Sequence, residues 1–245
     1  MQGKVAVVTG GSTGIGRAIA ARFVAEGARV VITGRRKPEL DAAVEAIGRG
    51  VRGVHADSSD LGDLDALYRS VQEEEGRIDV LVANAGGGVA NVLGSITEEE
   101  FDSTFGTNVK GVLFTVQKAL PLLADGASVI LTGSTTSIKA EAGISVYAAS
   151  KAAVRNLARG WVLDLKGRDV RVNVLSPGPT DTPGMRGLAE PGQEQALVDA
   201  FAARVPLGRV ADPAEIAGAA VFLASNDSGF VNGVELFVDG GFAQV

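Results

Sequence analysis

The sequence lacks cysteine altogether and contains a single histidine. Without cysteine the chain has no disulfide bonds, no thiolate metal ligands and no cysteine nucleophile, and this composition suits a reducing compartment. The one histidine, His55, has no metal-ligand partner beside it, so we expect a structural role for this side chain. No metal site is predicted.

Long apolar runs are missing as well. The first apolar run, residues 5–8, is too short for the core of a signal peptide, and no stretch approaches the length of a membrane span. Basic residues are outnumbered, with 23 Lys and Arg against 29 Asp and Glu and a formal net charge of -6. Such a chain repels nucleic-acid phosphates and anionic lipid surfaces. We therefore expect a cytoplasmic protein with no nucleic-acid or membrane partner.

Short apolar runs, mostly β-branched, recur along the chain and predict strands that are buried on both faces. They span residues 5–8, 30–32, 51–55, 80–82, 129–131, 172–175 and 236–238, of which 51–55 is the weakest. Segments with helical spacing lie between them, and a capping box from Thr97 to Glu100 and Pro213 after Asp212 mark two helix starts. One long irregular stretch is expected at residues 177–193. This alternation predicts a doubly wound α/β fold with a parallel sheet of about seven strands.

Hydrophobic residues make up 46% of the 245 residues, which is enough for one substantial core. The sequence shows no internal repeat, no low-complexity tract and no linker. We therefore expect a single domain that spans residues 1–245.

A glycine-rich turn joins the first predicted strand to the first predicted helix. It reads Thr9-Gly10-Gly11-Ser12-Thr13-Gly14-Ile15-Gly16. Gly10 permits a tight turn, Gly14 lets the backbone approach a pyrophosphate, and Gly16 lets the helix pack against the strand. Because a helix N-terminus offers free N–H groups and a positive dipole end, this context predicts a dinucleotide site rather than a plain turn.

The end of the second predicted strand bears on the choice of cofactor. NAD-preferring sites carry Asp or Glu there to accept a hydrogen bond from the ribose 2′-OH. This chain has Thr33-Gly34-Arg35-Arg36-Lys37 instead. We expect Gly34 to leave room for a bulkier group and Arg35 to hold a 2′-phosphate, so NADP(H) is the predicted cofactor.

Tyr147 and Lys151 lie one helical turn apart on one face of a predicted helix. A tyrosine and a lysine at this spacing are common and by themselves indicate no function. They become evidence for a site together with polar or small residues that follow predicted strands or are expected to open a helix. These are Asn84, Gly86, Asn108 and Ser134. Because the carboxyl ends of parallel strands meet at one edge of a sheet, we expect these residues to surround one site.

Taken in order, these residues resemble the landmarks of the classical short-chain dehydrogenase/reductase family, and the resemblance covers essentially the whole chain. The matching positions are the Thr9 to Gly16 turn, Asp57, Asn84-Ala85-Gly86, Asn108, Ser134, Tyr147, Lys151, Pro177-Gly178 and Thr182. The resemblance implies a Rossmann-like domain with strand order 3-2-1-4-5-6-7. It also implies an oxidoreductase that transfers hydride between NAD(P)(H) and a carbonyl or secondary alcohol. Thr13 stands where NADP enzymes often carry a basic residue, which keeps NAD(H) open as a second cofactor.

The resemblance also implies roles for single residues. Asn108, Ser134, Tyr147 and Lys151 would form a catalytic tetrad with Tyr147 as the general acid–base. Tyrosine is a poor proton donor and acceptor at its ordinary pKa, and the Lys151 ammonium would stabilise its phenolate. Lys151 would also grip the nicotinamide ribose, Ser134 would hold the substrate oxygen, and Asn108 would order water in a proton relay. Cofactor contacts are implied for Gly10, Ser12, Thr13, Gly14, Ile15, Gly16, Arg35, Asp57, Asn84, Gly86, Tyr147, Lys151, Pro177, Gly178 and Thr182.

Two other functions share parts of this pattern. A redox-inactive sensor protein of the same fold would keep the nucleotide site, but the intact tetrad argues against it. A sugar-nucleotide epimerase shares the Tyr-x-x-x-Lys spacing but carries a larger C-terminal substrate domain than 245 residues accommodate. The predicted substrate is a small carbonyl or alcohol, bound among residues 86–93, 138–143 and a substrate loop at about 183–205.

A homotetramer is expected from the same resemblance, in which helices near Asn108 and Ser145 pair with those of a neighbouring copy. These helices carry apolar residues beyond what one domain covers, namely Phe114, Val116, Leu157 and Trp161. Residues 234–245 would form a second interface.

Overall fold

A computed structural model describes all residues from 1 to 245 and contains one parallel sheet flanked by helices. The strands are β1 Val5–Val8, β2 Arg29–Gly34, β3 Val51–His55, β4 Ile78–Ala83, β5 Leu123–Thr132, β6 Arg171–Pro177 and β7 Glu235–Val238. The α-helices are α1 Gly14–Ala25, α2 Lys37–Ile47, α3 Leu61–Glu74, α4 Glu98–Phe105, α5 Val112–Ala119, α6 Ser145–Asp164, α7 Pro183–Arg186, α8 Glu194–Ala202 and α9 Pro213–Ala224. A π-helical turn, Gly106–Gly111, joins α4 to α5, and 3₁₀ turns span Leu120–Leu122, Thr135–Ser137 and Asn226–Ser228.

The sheet has seven strands in the order β3-β2-β1-β4-β5-β6-β7, which confirms the predicted Rossmann-like fold and its strand order. Every neighbouring pair is parallel, so helices must cross over the faces of the sheet between strands. The strand order reverses between β1 and β4. In an open α/β sheet this switch point opens a crevice at the carboxyl ends of the strands, where ligands bind.

Each face of the sheet carries its own hydrophobic core. One core has 23 buried residues and packs β-strand side chains such as Val7 against α3, α5 and α6. The other has 19 buried residues and packs Ala6 and Val8 against α1, α2 and α9. Successive strand residues therefore point to opposite cores, which explains why the strands read as continuous apolar runs.

Both predicted helix starts are present. The Thr97 hydroxyl accepts from the Glu100 N–H at 3.2 Å, and the Glu100 carboxylate accepts from the Thr97 N–H at 2.9 Å. Asp212 accepts from the Ala214 N–H at 2.8 Å and forms a second capping box with Glu215. These caps satisfy N–H groups that a helix start leaves without intrahelical partners.

Three local expectations are corrected by the structure. Asn108 does not open a helix, because the chain is already helical from Glu98 and passes through Asn108 in a π-helical turn. Strand β5 begins at Leu123 rather than near residue 129, and it crosses Gly126, whose φ of +76° lies in the region that favours glycine. The stretch at 177–193 contains the short helix α7, and residues 84–97 form a second irregular stretch.

No helix of the structure combines the length and the apolar character needed to cross a lipid bilayer.

Gly218 in α9 and Gly16 in α1 form a matched pair that tests the close packing of the glycine-rich turn. Nothing lies within 4 Å of a Cβ built at Gly218, so Gly218→Ala should raise the free energy of unfolding by about 0.5–1 kcal/mol through helix propensity. Gly16→Ala should lower it by about 1–3 kcal/mol, because the added Cβ would lie 2.3 Å from the Gly10 carbonyl oxygen. Urea unfolding midpoints measure the stability change of each variant. Midpoint shifts of the same sign in the two variants would contradict the close packing of Gly16 against Gly10.

Candidate active site

The glycine-rich turn lies between β1 and α1 at the carboxyl edge of the sheet. Gly10 and Gly14 have φ angles of +63° and +53°, a region that favours glycine. Thr13, the N-cap of α1, accepts no hydrogen bond through its side chain, and the first N–H groups of the helix have no intrahelical acceptor. The turn therefore offers free N–H donors and a positive dipole end, which fits the pyrophosphate of a dinucleotide.

Thr9 and Asn84 hold this turn against β4. The Thr9 hydroxyl accepts from the N–H groups of Asn84 and Ala85 at 3.0 and 3.1 Å. The Asn84 side-chain amide donates to the carbonyl oxygens of Thr9 and Gly10 at 3.0 and 3.2 Å, and its oxygen accepts from the Thr132 hydroxyl at 3.3 Å. The amide of Asn84 is thus engaged with the protein, and it shapes the backbone of the turn.

Arg35 and Asp57 lie next to the ends of β2 and β3. Arg35 Nη1 lies 3.8 Å from Asp57 Oδ2, and 67% of the Arg35 side chain is exposed. The backbone N–H and the hydroxyl of Ser59 both donate to Asp57 Oδ1, at 2.9 and 2.7 Å. His55 Nε2 lies 2.8 Å from the Arg35 carbonyl oxygen, which is a structural contact of the kind expected for this histidine.

Ser12 occupies the space beside Gly34. A Cβ at Gly34 would lie 2.8 Å from Ser12 Oγ and 2.9 Å from Ser12 Cβ. The expectation that Gly34 leaves room for a bulkier cofactor group is therefore wrong, because Ser12 already fills that space. The same contact shows that an acidic side chain at position 34 would require Ser12 to move.

Lys151 and Tyr147 lie in the first turns of α6 and face the carboxyl edge of the sheet. Lys151 is buried, and its Nζ donates to the Thr132 carbonyl oxygen at 2.8 Å and lies 5.7 Å from the centroid of the Tyr147 ring. Burial lowers the pKa of Lys151 to about 8, so the ammonium persists at neutral pH. Burial raises the pKa of Tyr147, and hydrogen bonding with Ser134 opposes that rise. Burial, rather than the charge of Lys151, is therefore the largest influence on Tyr147 in the structure.

Asn108 connects the loop after β4 to the helix that carries Tyr147. It is fully buried within the π-helical turn, a distortion that recurs at functional sites. Its Oδ1 accepts from the Gly87 N–H at 2.9 Å, and its Nδ2 donates to the Gly87 carbonyl oxygen at 2.8 Å and to Ser150 Oγ at 2.9 Å. The Ser150 hydroxyl donates to the Tyr147 carbonyl oxygen at 2.7 Å. The amide of Asn108 therefore ties two walls of the site together.

Ser134 follows β5 and caps the 3₁₀ turn Thr135–Ser137. Its hydroxyl accepts from the N–H and the hydroxyl of Thr136, at 3.2 and 3.0 Å. A Cβ at the preceding Gly133 would lie 2.2 Å from Ser176 Oγ, so the chain before Ser134 runs directly against β6. The backbone that presents Ser134 is therefore fixed from both sides.

The chain after β6 returns to the glycine-rich turn. Pro177 ends β6, and a Cβ at Gly178 would lie 2.7 Å from Asp239 Cα, which explains the need for glycine there. Thr182 caps α7, and a Cβ at Gly14 would lie 3.3 Å from Thr182 Cγ2. Thr182 is thus next to Gly14 in the turn, and this pairing fits a dinucleotide.

One of the three segments predicted for the substrate pocket packs directly on Tyr147. A Cβ at Gly88 would lie 2.8 Å from Tyr147 Cδ2, so the loop after β4 packs on the ring. The Asn91 N–H donates to the Gly143 carbonyl oxygen at 2.6 Å and joins this loop to the second segment. The third segment, at about 183–205, is largely helical, since it holds α7 and α8. Exposed apolar side chains on these segments suit an apolar ligand, and they are Val89, Val92, Leu93, Ile138 and Leu188.

The supporting contacts of Thr9, Ser150 and Thr132 were not identified from the sequence, although Thr9 belongs to the predicted glycine-rich turn. Thr9 and Ser150 carried a signal, because Thr9 opens the glycine-rich turn and Ser150 follows Tyr147 by three residues on one helix face. The Thr132 carbonyl that accepts from Lys151 carried none, because every residue type offers the same backbone oxygen.

Comparisons with known proteins find similar sequences and structures over nearly the whole chain. A family model described as Enoyl-(Acyl carrier protein) reductase matches residues 10–243. Oxidoreductase asL5 from Sarocladium schorii is 49% identical over 248 residues, which cover 100% of this chain and 98% of that protein. Meso-2,3-butanediol dehydrogenase from Serratia marcescens is 38% identical, and the match covers 97% of this chain and 94% of that protein. The crystal structure of levodione reductase matches with a TM-score of 0.94 at 30% identity, over 100% of this chain and 99% of that one.

The match extends over nearly the whole chain, and the glycine-rich turn, Tyr147 and Lys151 stand together at the carboxyl edge of the sheet. The chain therefore belongs to the short-chain dehydrogenase/reductase family of NAD(P)-dependent oxidoreductases.

Proposed function

We propose that the protein transfers hydride between NADP(H) and a carbonyl or secondary alcohol, with Tyr147 as the general acid–base. The observation that carries this proposal is the buried ammonium of Lys151, which lies 5.7 Å from the Tyr147 ring beside the dinucleotide turn. The names of two similar proteins, a butanediol dehydrogenase and a levodione reductase, support an alcohol or ketone as substrate.

The residues around Tyr147 supply the proton chemistry of carbonyl reduction, which needs hydride on carbon and a proton on oxygen. A nicotinamide bound beside these residues would supply the hydride. Burial keeps Tyr147 protonated, so its hydroxyl can give a proton to the substrate oxygen that the Ser134 hydroxyl orients. The Lys151 ammonium then stabilises the phenolate, and the reverse sequence oxidises an alcohol.

Lys151 and Asn108 have further proposed roles. Lys151 grips the nicotinamide ribose, and Asn108 orders water in a proton relay to Lys151. Gly86 supports this proposal: a Cβ built there would lie 3.0 Å from Asn108 Oδ1 and 3.3 Å from Lys151 Nζ, so Gly86 is adjacent to both groups. Because Gly86 has no side chain, the space beside Asn108 and Lys151 stays open for the proposed cofactor.

The preference for NADP(H) rests on Arg35. Its guanidinium is mostly exposed beside the turn, and its one ionic contact, with Asp57, is 3.8 Å long. A guanidinium has five N–H donors and binds phosphate oxygens through paired hydrogen bonds. Position 34 offers no carboxylate for a ribose diol, and the Ser12 contact disfavours one. Asp57 is the proposed contact for the adenine.

The two alternative functions gain no support. A redox-inactive sensor does not require a buried Lys151 beside Tyr147, and two of the similar proteins are named as a dehydrogenase and a reductase. Neither of these names describes an epimerase.

A homotetramer is proposed with one correction. Val116 is only 3% exposed and belongs to the chain's own core, so it contributes nothing to an interface. Leu163 on α6 and Phe230 before β7 are exposed large apolar residues and support contacts with other copies along these elements. Light scattering at micromolar concentration tests this proposal, and a monomer would contradict it.

Tyr147→Phe keeps the ring and removes only the hydroxyl. We expect kcat for ketone reduction to fall by about 10²–10⁴-fold, while the Kd for NADPH stays near that of the wild type. The control is Tyr68→Phe, in which the other tyrosine loses a buried hydrogen bond of 2.6 Å to the Thr115 carbonyl oxygen. This control should lose about 1 kcal/mol of unfolding free energy and keep its kcat. Retention of more than about a tenth of kcat in Tyr147→Phe would remove Tyr147 from the acid–base role.

Arg35→Ala tests the cofactor preference. In the wild type we expect kcat/KM with NADPH to exceed that with NADH by about tenfold to a hundredfold, and Arg35→Ala should bring this ratio close to one. Lys37→Ala is the control, because Lys37 carries the same charge nearby but pairs with Asp41 at 2.7 Å. A wild type that prefers NADH, or an unchanged ratio in Arg35→Ala, would show that the cofactor assignment is wrong.

A further inference from the structure

Glu235 is an almost buried carboxylate on β7 that the proposed mechanism does not use. Only 8% of its side chain is exposed. Its Oε1 accepts hydrogen bonds from the hydroxyls of Ser137 at 2.6 Å and Ser176 at 2.7 Å, and its Oε2 lies 3.7 Å from Arg155 Nε. Both carboxylate oxygens are therefore engaged with polar partners from three different elements.

The two serines place Glu235 beneath the backbone that presents Ser134. Ser137 closes the 3₁₀ turn that Ser134 caps, so the bond from Ser137 holds the far end of this turn. Ser176 lies on β6, and its hydroxyl is so close to Gly133 that a Cβ there would lie 2.2 Å from it. Glu235 thus orients the Ser176 hydroxyl, and Gly133, the residue before Ser134, packs against that hydroxyl.

Arg155 links the same carboxylate to the catalytic helix. It lies on α6, one helical turn after Lys151 and two turns after Tyr147. Its guanidinium side chain is 30% exposed, so the carboxylate meets a partly desolvated charge. One side chain therefore connects the turn that carries Ser134 with the helix that carries Tyr147 and Lys151.

The energetics favour a positional role over a purely stabilising one. A buried carboxylate loses its hydration, and replacement of a buried ion pair by well-packed apolar residues is often neutral or stabilising. What a carboxylate adds at this position is directional: two hydroxyls and one guanidinium are held at fixed points around it. Catalytic groups depend on such fixed geometry, since a displacement of about 1 Å can reduce turnover by about a hundredfold.

We propose that Glu235 is a positioning residue that fixes the Ser134 hydroxyl relative to Tyr147 through Ser137, Ser176 and Arg155. This inference rests on the proposed function, in which Ser134 and Tyr147 act on the same substrate oxygen. It assigns to β7 a role in the geometry of the proton donor, although no β7 side chain belongs to the proposed tetrad.

Glu235→Leu and Glu235→Gln test this role. Leu removes every polar contact, and kcat/KM for a ketone should fall by about tenfold to a hundredfold. Gln keeps one carbonyl acceptor for the serines and loses the attraction to Arg155. The fall in kcat/KM should therefore be smaller for Glu235→Gln than for Glu235→Leu. The Kd for NADPH, measured by fluorescence titration, should change by less than about twofold in both variants, because their contacts lie away from the glycine-rich turn.

A pH profile and a spectrum provide readouts that a general loss of stability would not change. Since hydrogen bonding with Ser134 opposes the rise in the pKa of Tyr147, displacement of Ser134 should move the alkaline limb of kcat/KM to higher pH. The chain has only two tyrosines, so ¹³C labelling at Cζ should show a shifted Tyr147 signal at neutral pH and an unchanged Tyr68 signal.

Asp79→Leu and Asp79→Asn are the matched controls. Asp79 is another mostly buried carboxylate, which accepts from the Val5 N–H at 2.7 Å and pairs with Arg77 at 3.1 Å, at the amino edge of the sheet. Its variants should lose stability without a change in the pH profile or in the Tyr147 signal. The inference is overturned if Glu235→Leu keeps kcat/KM within about twofold of the wild type, or if Asp79→Leu gives the same kinetic loss and spectral shift. If Glu235→Leu keeps its kcat/KM while Tyr147→Phe loses its turnover, only the inference about Glu235 fails. If Tyr147→Phe also keeps its turnover, the proposed function fails as well.

Discussion

The burial of the Lys151 ammonium at the carboxyl edge of the sheet is the constraint around which the rest of the site is arranged. A charged amine away from water needs hydrogen-bond acceptors, and the Thr132 carbonyl oxygen at the end of β5 accepts from Nζ at 2.8 Å. This bond fixes the start of α6 across the end of β5. Gly86 must then pass close by without a side chain, because a Cβ there would crowd both Lys151 Nζ and Asn108 Oδ1.

The same burial acts in opposite directions on the two titratable groups of the site. It lowers the pKa of Lys151 to about 8 and raises the pKa of Tyr147, so both groups hold their protons at neutral pH. A protonated tyrosine can donate the proton that reduction of a carbonyl needs on the oxygen. The proposed function therefore follows from where these side chains are placed and not from their types alone.

The fold was largely predictable because its signals are local. Buried parallel strands need continuous β-branched runs, and β3 was predicted with the bounds that the structure has. The start of β5 was missed because Gly126 interrupts the apolar run. The site was less predictable where distant residues meet: Ser12 fills the space beside Gly34, and Glu235 bonds Ser137 across a separation of 98 residues. No local pattern encodes such contacts, since they arise only when the strands assemble.

The pKa of the Lys151 amine is the most direct test of this account. It can be measured by NMR titration of protein with ¹⁵N-labelled lysine side chains, with the Nζ signal assigned by its loss in Lys151→Met. We expect this amine to titrate at about 8, below the exposed lysines in the same spectrum, because burial disfavours its charge. A Lys151 signal that titrates together with the exposed lysines would contradict the buried ammonium on which the site is built.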